Sequence, residues 1–208
     1  GAPQLDDIKK SDIKKNFILK GNNLKRLKYI VLLQHSVFKD KLSYKKIFIN
    51  TLKACISFDL KIFIIYPNYD PGYKSIITLI KEYQKKFPSK IKIFKHLSRK
   101  NFLSLIYYST SFVGNSSAGI LETPSINIGT VNIGDRQEGR EQNKNIFNAS
   151  YDVNSIKHGI KKSIKYNNIY KHKYLKNLHG DGNAADKITR VIKKIHNFKK
   201  LLNKKTTY

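Results

Sequence analysis

One short turn has the residue types best suited to holding a ligand, and it reads Gly114-Asn115-Ser116-Ser117-Ala118-Gly119. It follows a short apolar run and precedes a helical pattern, and its small residues let a ligand approach the backbone. Free amides at the helix start and the hydroxyls of Ser116 and Ser117 could donate hydrogen bonds to a phosphate. Serines here also cap helices without binding anything, and the hexapeptide alone does not separate these two interpretations.

Two further polar features lie downstream of this turn. Glu122 is one to two helical turns from the serines, where its carboxylate could accept hydrogen bonds from a ribose diol, although a surface glutamate would look the same. The loop 132–140 carries Arg136 and Arg140 among glycines. Arginine beside such permissive backbone suits a diphosphate or a negative charge that develops during a reaction.

The elements that must position these residues alternate from Leu27 onward between β-branched runs and amphipathic stretches. This pattern predicts an α/β domain with a parallel sheet and helices on both faces. The predicted strands are 29–33, 61–66, 91–94, 111–113, 126–128, 130–133 and 146–148. The predicted helices are one capped by Ser43, then 75–87, 100–108 after Ser98, 120–123, 153–166, and 184–202 capped by Asn183. Gln34 and His35 then lie at the carboxyl end of the first strand, where open α/β sheets place their ligands.

The formal charge of +27 would on its own suggest a nucleic acid or an anionic membrane as partner. The cations are mostly lysines spread along the whole chain, and two of the only five arginines fall in the loop 132–140. This distribution indicates a compositional drift toward lysine at all solvent-exposed positions rather than a dedicated polyanion-binding surface. The chain shows no apolar run of about 18 residues and no signal-like start, so we expect a cytoplasmic protein. With one cysteine and no clustered ligands, we expect no metal site and no cofactor.

Several separate motifs together resemble the hydrolysing UDP-N-acetylglucosamine 2-epimerases that supply N-acetylmannosamine for sialic-acid synthesis. The matching segments are Gly114–Gly119, Glu122, Asn132–Gln137, Gly139-Arg140, Gln34-His35, Pro67-Asn68, Asp70-Pro71-Gly72 and Gly180–Ala184. They cover nearly the whole chain, which is far more specific than one glycine loop. The resemblance implies a Rossmann-like domain that forms the C-terminal, nucleotide-binding half of a two-domain GT-B enzyme. It also implies an interdomain lead-in at 1–26, the domain at 27–202 and a basic tail at 203–208.

The resemblance further implies a set of site residues and a reaction. UDP would contact His35, Asn68, Leu97, Ser116, Ser117, Gly119, Glu122 and Arg136, and His35 and Arg136 would be catalytic. The family removes the proton at sugar C2, expels UDP to leave a glycal, and adds water to give N-acetylmannosamine. Its acid–base carboxylates belong to the other domain. The implied partners are therefore UDP or a UDP-N-acetylhexosamine, the N-terminal epimerase domain and a second copy of the intact enzyme, with no specific nucleic acid and no membrane.

Two other functions remain as alternatives at this point. A GT-B glycosyltransferase domain also places a glycine-serine turn and a glutamate around a nucleotide sugar, although the Asp135-Arg136-Gln137 loop with Arg140 argues against it. A non-enzymatic polyanion binder is suggested by the net charge. Such a binder would hold DNA or RNA at physiological ionic strength with an affinity that falls steeply as salt rises.

Overall fold

The computed structural model describes residues 1–10, 18–19, 22–37 and 43–195. The strands are β1 (Ile18–Leu19), β2 (Asn22–Asn23), β3 (Tyr29–Leu33), β4 (Lys61–Ile65), β5 (Ile91–Phe94), β6 (Ser111–Gly114), β7 (Thr130–Ile133) and β8 (Ile146–Ala149). The helices are α1 (Gln4–Lys10), α2 (Tyr44–Ile56), α3 (Tyr73–Lys86), α4 (Arg99–Tyr108), α5 (Ala118–Leu121), α6 (Thr123–Ile126), α7 (Val153–Tyr170) and α8 (Ala184–Lys193). A 3-10 turn at Leu24–Arg26 precedes β3. None of the helices described is long and apolar enough to cross a membrane.

Six of these strands form one parallel sheet in the order β5-β4-β3-β6-β7-β8. The order reverses at β3, because β4 and β5 lie on one side of it and β6, β7 and β8 on the other. A crevice opens at the carboxyl ends of β3 and β6 in such a sheet, and open α/β proteins bind ligands there. The separate strands β1 and β2 pair antiparallel outside this sheet.

The centre of the sheet is buried on both faces, which explains why β3 and β4 read as nearly continuous apolar runs. In β3, Tyr29 and Val31 join the core under α1, α4, α5 and α6, whereas Ile30 and Leu32 join the core under α2, α3 and α7. The predicted class, a parallel Rossmann-like sheet with helices on both faces, is therefore confirmed.

One predicted strand is wrong. The segment 126–128 forms no strand, because Ile126 is the last residue of α6 and Asn127 has φ 47° in the left-handed region. The Asn127 amide donates to the carbonyls of Tyr170 and Lys173, which fixes this turn against the end of α7. Ile128 is buried in the core, so its apolar character reflects packing rather than a place in the sheet.

The start of the chain packs onto its last described helix. Leu5 and Ile8 of α1, which lies in the predicted lead-in at 1–26, are buried in the core. Asn183 stands at the N-cap position of α8 but its side chain makes no capping hydrogen bond. The Asp6 carboxylate accepts the N–H groups of Ala184 at 2.9 Å and Ala185 at 2.8 Å instead. The predicted continuation of this helix lies, from residue 196 on, outside the described residues, as does the predicted tail at 203–208.

Candidate functional site

The loops that follow β3, β4, β6 and β7 meet at the carboxyl edge of the sheet. Gly114, the last residue of β6, has φ 140°, and a Cβ atom there would lie 1.9 Å from the carbonyl oxygen of Leu33. Only glycine permits this approach, because any side chain would force the two strands apart. The close contact brings the residue after β6 alongside the residues after β3, at the crevice where the strand order reverses.

Asn115 joins these two loops through its side-chain amide. Its Oδ1 accepts the backbone N–H of His35 at 2.7 Å, and its Nδ2 donates to the His35 carbonyl oxygen at 2.9 Å. Leu33 is paired with Gly114 in the sheet, so the amide continues the β3–β6 ladder beyond its last backbone pair. Asn115 is 1% exposed, and these bonds therefore form out of reach of competing water.

The His35 imidazole is held in one orientation and in its neutral form. Its Nδ1 accepts the backbone N–H of Asn68, in the loop after β4, at 3.1 Å. Burial lowers the pKa of His35 to about 4; the positive charge of Arg136 lowers it as well, and the Asp70 carboxylate raises it. An Nδ1 that accepts a hydrogen bond leaves the ring hydrogen on Nε2. His35 can thus donate one hydrogen bond to a ligand without carrying charge at neutral pH.

Arg136 is anchored at the same point. Its Nη1 donates to the Asn115 carbonyl oxygen at 3.2 Å, and its Nη2 lies 3.6 Å from Oδ2 of Asp70. The neighbouring Gln137 donates from Nε2 to the same carbonyl at 2.8 Å. Because Asn115 directly precedes Ser116, the guanidinium stands at the start of the serine turn. A guanidinium has five N–H donors in a planar fork, so hydrogens remain for an anion.

The serine turn leads into a short helix that packs closely on the sheet. Ser116 is buried and Ser117 is half-buried, and the Gly119 N–H donates to the Ser116 carbonyl at 3.0 Å. A Cβ atom on Gly119 would lie 3.0 Å from Cγ2 of Thr130 and 3.1 Å from the Phe112 ring. Gly119 therefore allows the helix to approach the sheet, while its predicted contact with UDP stays a prediction.

Glu122 and Leu97 lie on the side of the site toward β5. Glu122 is buried, and its carboxylate is bonded to the Arg99 guanidinium, which also donates to the Gln4 carbonyl at 2.9 Å. Burial raises the pKa of Glu122, and the charge and hydrogen bond of Arg99 act in the opposite direction. Leu97, two residues before Arg99, is partly buried against the core. The ribose role of Glu122 and the uracil role of the Leu97 backbone remain predictions.

Sequence reasoning assigned no role to several residues that complete this arrangement. These are Asp70, Arg99, Asn115 and Gln137. Asn115 and Gln137 stand inside the motifs already singled out, but nothing in their spacing reveals which backbone groups they bond. Within the described residues, three of the four buried side-chain atoms without a hydrogen-bond partner flank Asn115, and these are Gln34 Oε1, Ser36 Oγ and Gln137 Oε1. Buried polar atoms are normally paired, so a ligand or an ordered water is expected to bond them at this edge. Among all the residues that the structure describes, no three His, Cys, Asp or Glu side chains are grouped so that they could hold a metal ion.

The reversed strand order and the glycine-serine turn define the class of a Rossmann-like domain, with the Arg136 guanidinium at the edge of its crevice. A protein-family model described as UDP-N-acetylglucosamine 2-epimerase matches residues 1–193. The chain therefore belongs to the UDP-N-acetylglucosamine 2-epimerase family.

Individual relatives agree with this assignment. The chain is 31% identical over 215 residues to UDP-N,N'-diacetylbacillosamine 2-epimerase (hydrolyzing) of Legionella pneumophila, covering 100% of this chain and 54% of the relative. The fold is similar to that of Methanocaldococcus jannaschii UDP-GlcNAc 2-epimerase in complex with UDP-GlcNAc and UDP, with a TM-score of 0.69 and 16% identity, covering 93% of this chain and 53% of that one. It is also similar to the S. aureus MnaA-UDP co-structure, with a TM-score of 0.65 and 17% identity, covering 98% and 55%. The chain thus spans about half the length of these proteins.

Proposed function

We propose that this chain is the C-terminal, UDP-binding half of a hydrolysing UDP-N-acetylglucosamine 2-epimerase. The intact enzyme would convert a UDP-N-acetylhexosamine and water into a free N-acetylmannosamine-type sugar and UDP. The observation that carries the proposal is the position of Arg136, whose Nη1 bonds the Asn115 carbonyl directly before Ser116. The name of the Legionella relative supports the hydrolysing type, and the two solved structures contain UDP.

Expulsion of UDP is the step that these residues are equipped to assist. As the bond between the sugar and the diphosphate breaks, negative charge collects on the departing phosphate oxygens. The Arg136 guanidinium and the hydroxyls of Ser116 and Ser117 would bind that charge more strongly than they bind the intact substrate. Interactions that strengthen in this way lower the barrier of the step.

His35 would assist as an uncharged donor. Its pKa of about 4 keeps the ring neutral, and Asn68 occupies its Nδ1, so the remaining Nε2–H can donate to the diphosphate or the sugar. A neutral imidazole donates a directional hydrogen bond without the cost of burying a second cation beside Arg136. The groups that remove the C2 proton and hydrate the glycal are expected on the other half of the enzyme.

The finer parts of the proposal concern the setting of this half-site. We expect the other half to close over the crevice and supply the acid–base carboxylates, and we expect the intact enzyme to dimerise. The product would enter an amino-sugar pathway of the sialic-acid type in the cytoplasm. A glycosyltransferase or a polyanion binder is not favoured, because the family match extends over residues 1–193.

Calorimetric titration of UDP into the 208-residue chain tests the site. Arg136→Ala and Ser117→Ala should each weaken UDP binding by roughly 1–3 kcal/mol, the scale of a lost charge-assisted hydrogen bond. Arg190→Ala is the matched control, since it removes the same charge from an exposed position on α8, outside the loops that form the crevice. An unchanged UDP affinity in both site variants, or an equal loss in the control, would refute the site.

The reaction is tested with the intact two-domain protein. Incubation with UDP-N-acetylglucosamine should release UDP and free N-acetylmannosamine in equal amounts. Transfer of the sugar to an acceptor, with no free amino sugar, would contradict the proposed activity and support a glycosyltransferase.

A further inference from the structure

Asn115 follows β6 and forms hydrogen bonds with both loops that carry the proposed catalytic groups, His35 after β3 and Arg136 after β7. Its side chain pairs with both backbone polar groups of His35, at 2.7 Å and 2.9 Å. Its backbone carbonyl accepts hydrogen bonds from Arg136 and Gln137, at 3.2 Å and 2.8 Å. Four hydrogen bonds from opposite sides of the crevice therefore converge on one buried residue.

The chemistry of these bonds makes Asn115 hard to replace. An amide offers an acceptor and a donor in one plane, which is what the N–H and C=O of a single residue require. If the amide were removed, the His35 backbone groups would be left buried and unpaired, and the loop would have to move toward solvent to satisfy them. Gly114 permits the loops to be this close, but it has no side chain with which to fix their spacing.

We propose that Asn115 is a positioning residue that fixes the distance between His35 and Arg136, so that both reach the same nucleotide diphosphate. This inference rests on the proposed function for the identity of the ligand. Asn115 would act through its neighbours and not touch the phosphates with its side chain, because that side chain is buried and turned toward the His35 backbone.

Asn167 of α7 provides a matched control elsewhere in the fold. Its Oδ1 accepts the Gly129 N–H at 2.7 Å, and its Nδ2 donates to the Thr110 carbonyl at 2.8 Å. It is also buried and also bonds one backbone donor and one backbone acceptor. Gly129 and Thr110 directly precede β7 and β6, so Asn167 acts at the end of the sheet opposite the candidate site.

The experiment compares Asn115→Ala with Asn167→Ala in the 208-residue chain. Three quantities are measured for each: the urea midpoint of unfolding, the UDP dissociation constant by calorimetry, and the pKa of the His35 ring by NMR titration. Both variants should lower the urea midpoint, since each loses two buried hydrogen bonds. Only Asn115→Ala should weaken UDP binding, by at least about tenfold. Only Asn115→Ala should move the pKa of His35 upward from about 4 toward its ordinary 6.5, because the released ring gains solvent.

The inference is overturned if Asn115→Ala binds UDP as tightly as Asn167→Ala, or if the pKa of His35 is the same in both. If the unaltered chain binds no UDP, the proposed function fails on its own. The pKa comparison then still decides whether Asn115 holds the His35 loop. A rise confined to Asn115→Ala supports the inference, and no rise overturns it.

A second variant covers the case in which Asn115→Ala does not fold. Gln137→Leu removes the shorter of the two hydrogen bonds that the Arg136 loop donates to the Asn115 carbonyl, and leaves the pairing with His35 intact. Gln137→Leu should weaken UDP binding by at least about fivefold while the pKa of His35 stays low. Unchanged UDP affinity in a folded Gln137→Leu protein would overturn the role of Asn115 in holding the Arg136 side.

Discussion

The depressed pKa of His35 makes the stability of this chain depend on pH in a defined window. The ordinary pKa of histidine is 6.5, and in the folded chain that of His35 is about 4. Since the folded value is the lower one, the unfolded chain takes up a proton first as the pH falls. The stabilisation is fully present above pH 6.5 and is lost as the pH falls toward 4.

The size of this effect follows from the two pKa values. Between pH 7.5 and pH 5 the unfolded chain becomes almost fully protonated at His35, whereas only about a tenth of the folded molecules do. The difference corresponds to about 2 kcal/mol of lost unfolding free energy. Burial is the largest cause, and the facing charges are Arg136, which lowers the pKa, and Asp70, which raises it.

Urea unfolding at pH 7.5 and pH 5 measures this loss, and His35→Gln is the reference because it cannot titrate. The unaltered chain should lose about 2 kcal/mol more than His35→Gln between the two pH values, since all other groups titrate in both proteins. NMR titration adds a direct reading, in which Arg136→Ala should raise the pKa of His35. Equal losses in both proteins, or a His35 ring that titrates near 6.5, would refute the account of a buried neutral imidazole.

Three further perturbations test other parts of the structure. Gly114→Ala should lower the free energy of unfolding in urea by about 2–4 kcal/mol, because its Cβ would meet the Leu33 carbonyl. The control Gly139→Ala, at φ 77° with open space around the Cβ, should lower it by only about 1 kcal/mol. Asp6→Ala should lower the free energy of unfolding by about 1–2 kcal/mol, because α8 loses its cap. The control is the exposed Asp7→Ala, and a smaller loss in Asp6→Ala than in Asp7→Ala would contradict the capping role. Arg99→Met leaves the buried Glu122 carboxylate unpaired, which favours its protonated form. As the pH falls from 7 to 5, this variant should therefore regain unfolding free energy relative to the parent. No relative gain would contradict the pairing.

Periodicity and cap residues were enough to predict most of the fold. Strands β3, β5 and β7 match their predicted bounds, because short runs rich in β-branched and aromatic residues favour a strand. Ser43 and Ser98 cap α2 and α4 as expected, since an N-cap is a local interaction. The segment 126–128 was mispredicted because its conformation depends on Asn127 bonding to α7, which lies far along the chain.

Sequence motifs pointed to several residues that lie together in the structure, but not to the hydrogen bonds that connect them. His35, Asn68 and Arg136 were singled out from motifs, and the structure brings all three to one crevice. The hydrogen bonds between Asn115 and His35 span 80 positions and depend on how two strands pair, which no local pattern encodes. The capping of α8 by Asp6 was missed for the same reason, because a remote carboxylate replaces the adjacent Asn183.

The place of β3 at the centre of the sheet has a consequence for the order in which the chain is made. β3 pairs on one side with β4, which follows it closely, and on the other side with β6, which is synthesised much later. Until β6 emerges from the ribosome, one edge of β3 has no backbone partner, and such an edge invites pairing with other chains. The crevice itself does not exist before that moment, because the loops after β3 and β6 come together only when the second half of the chain has docked.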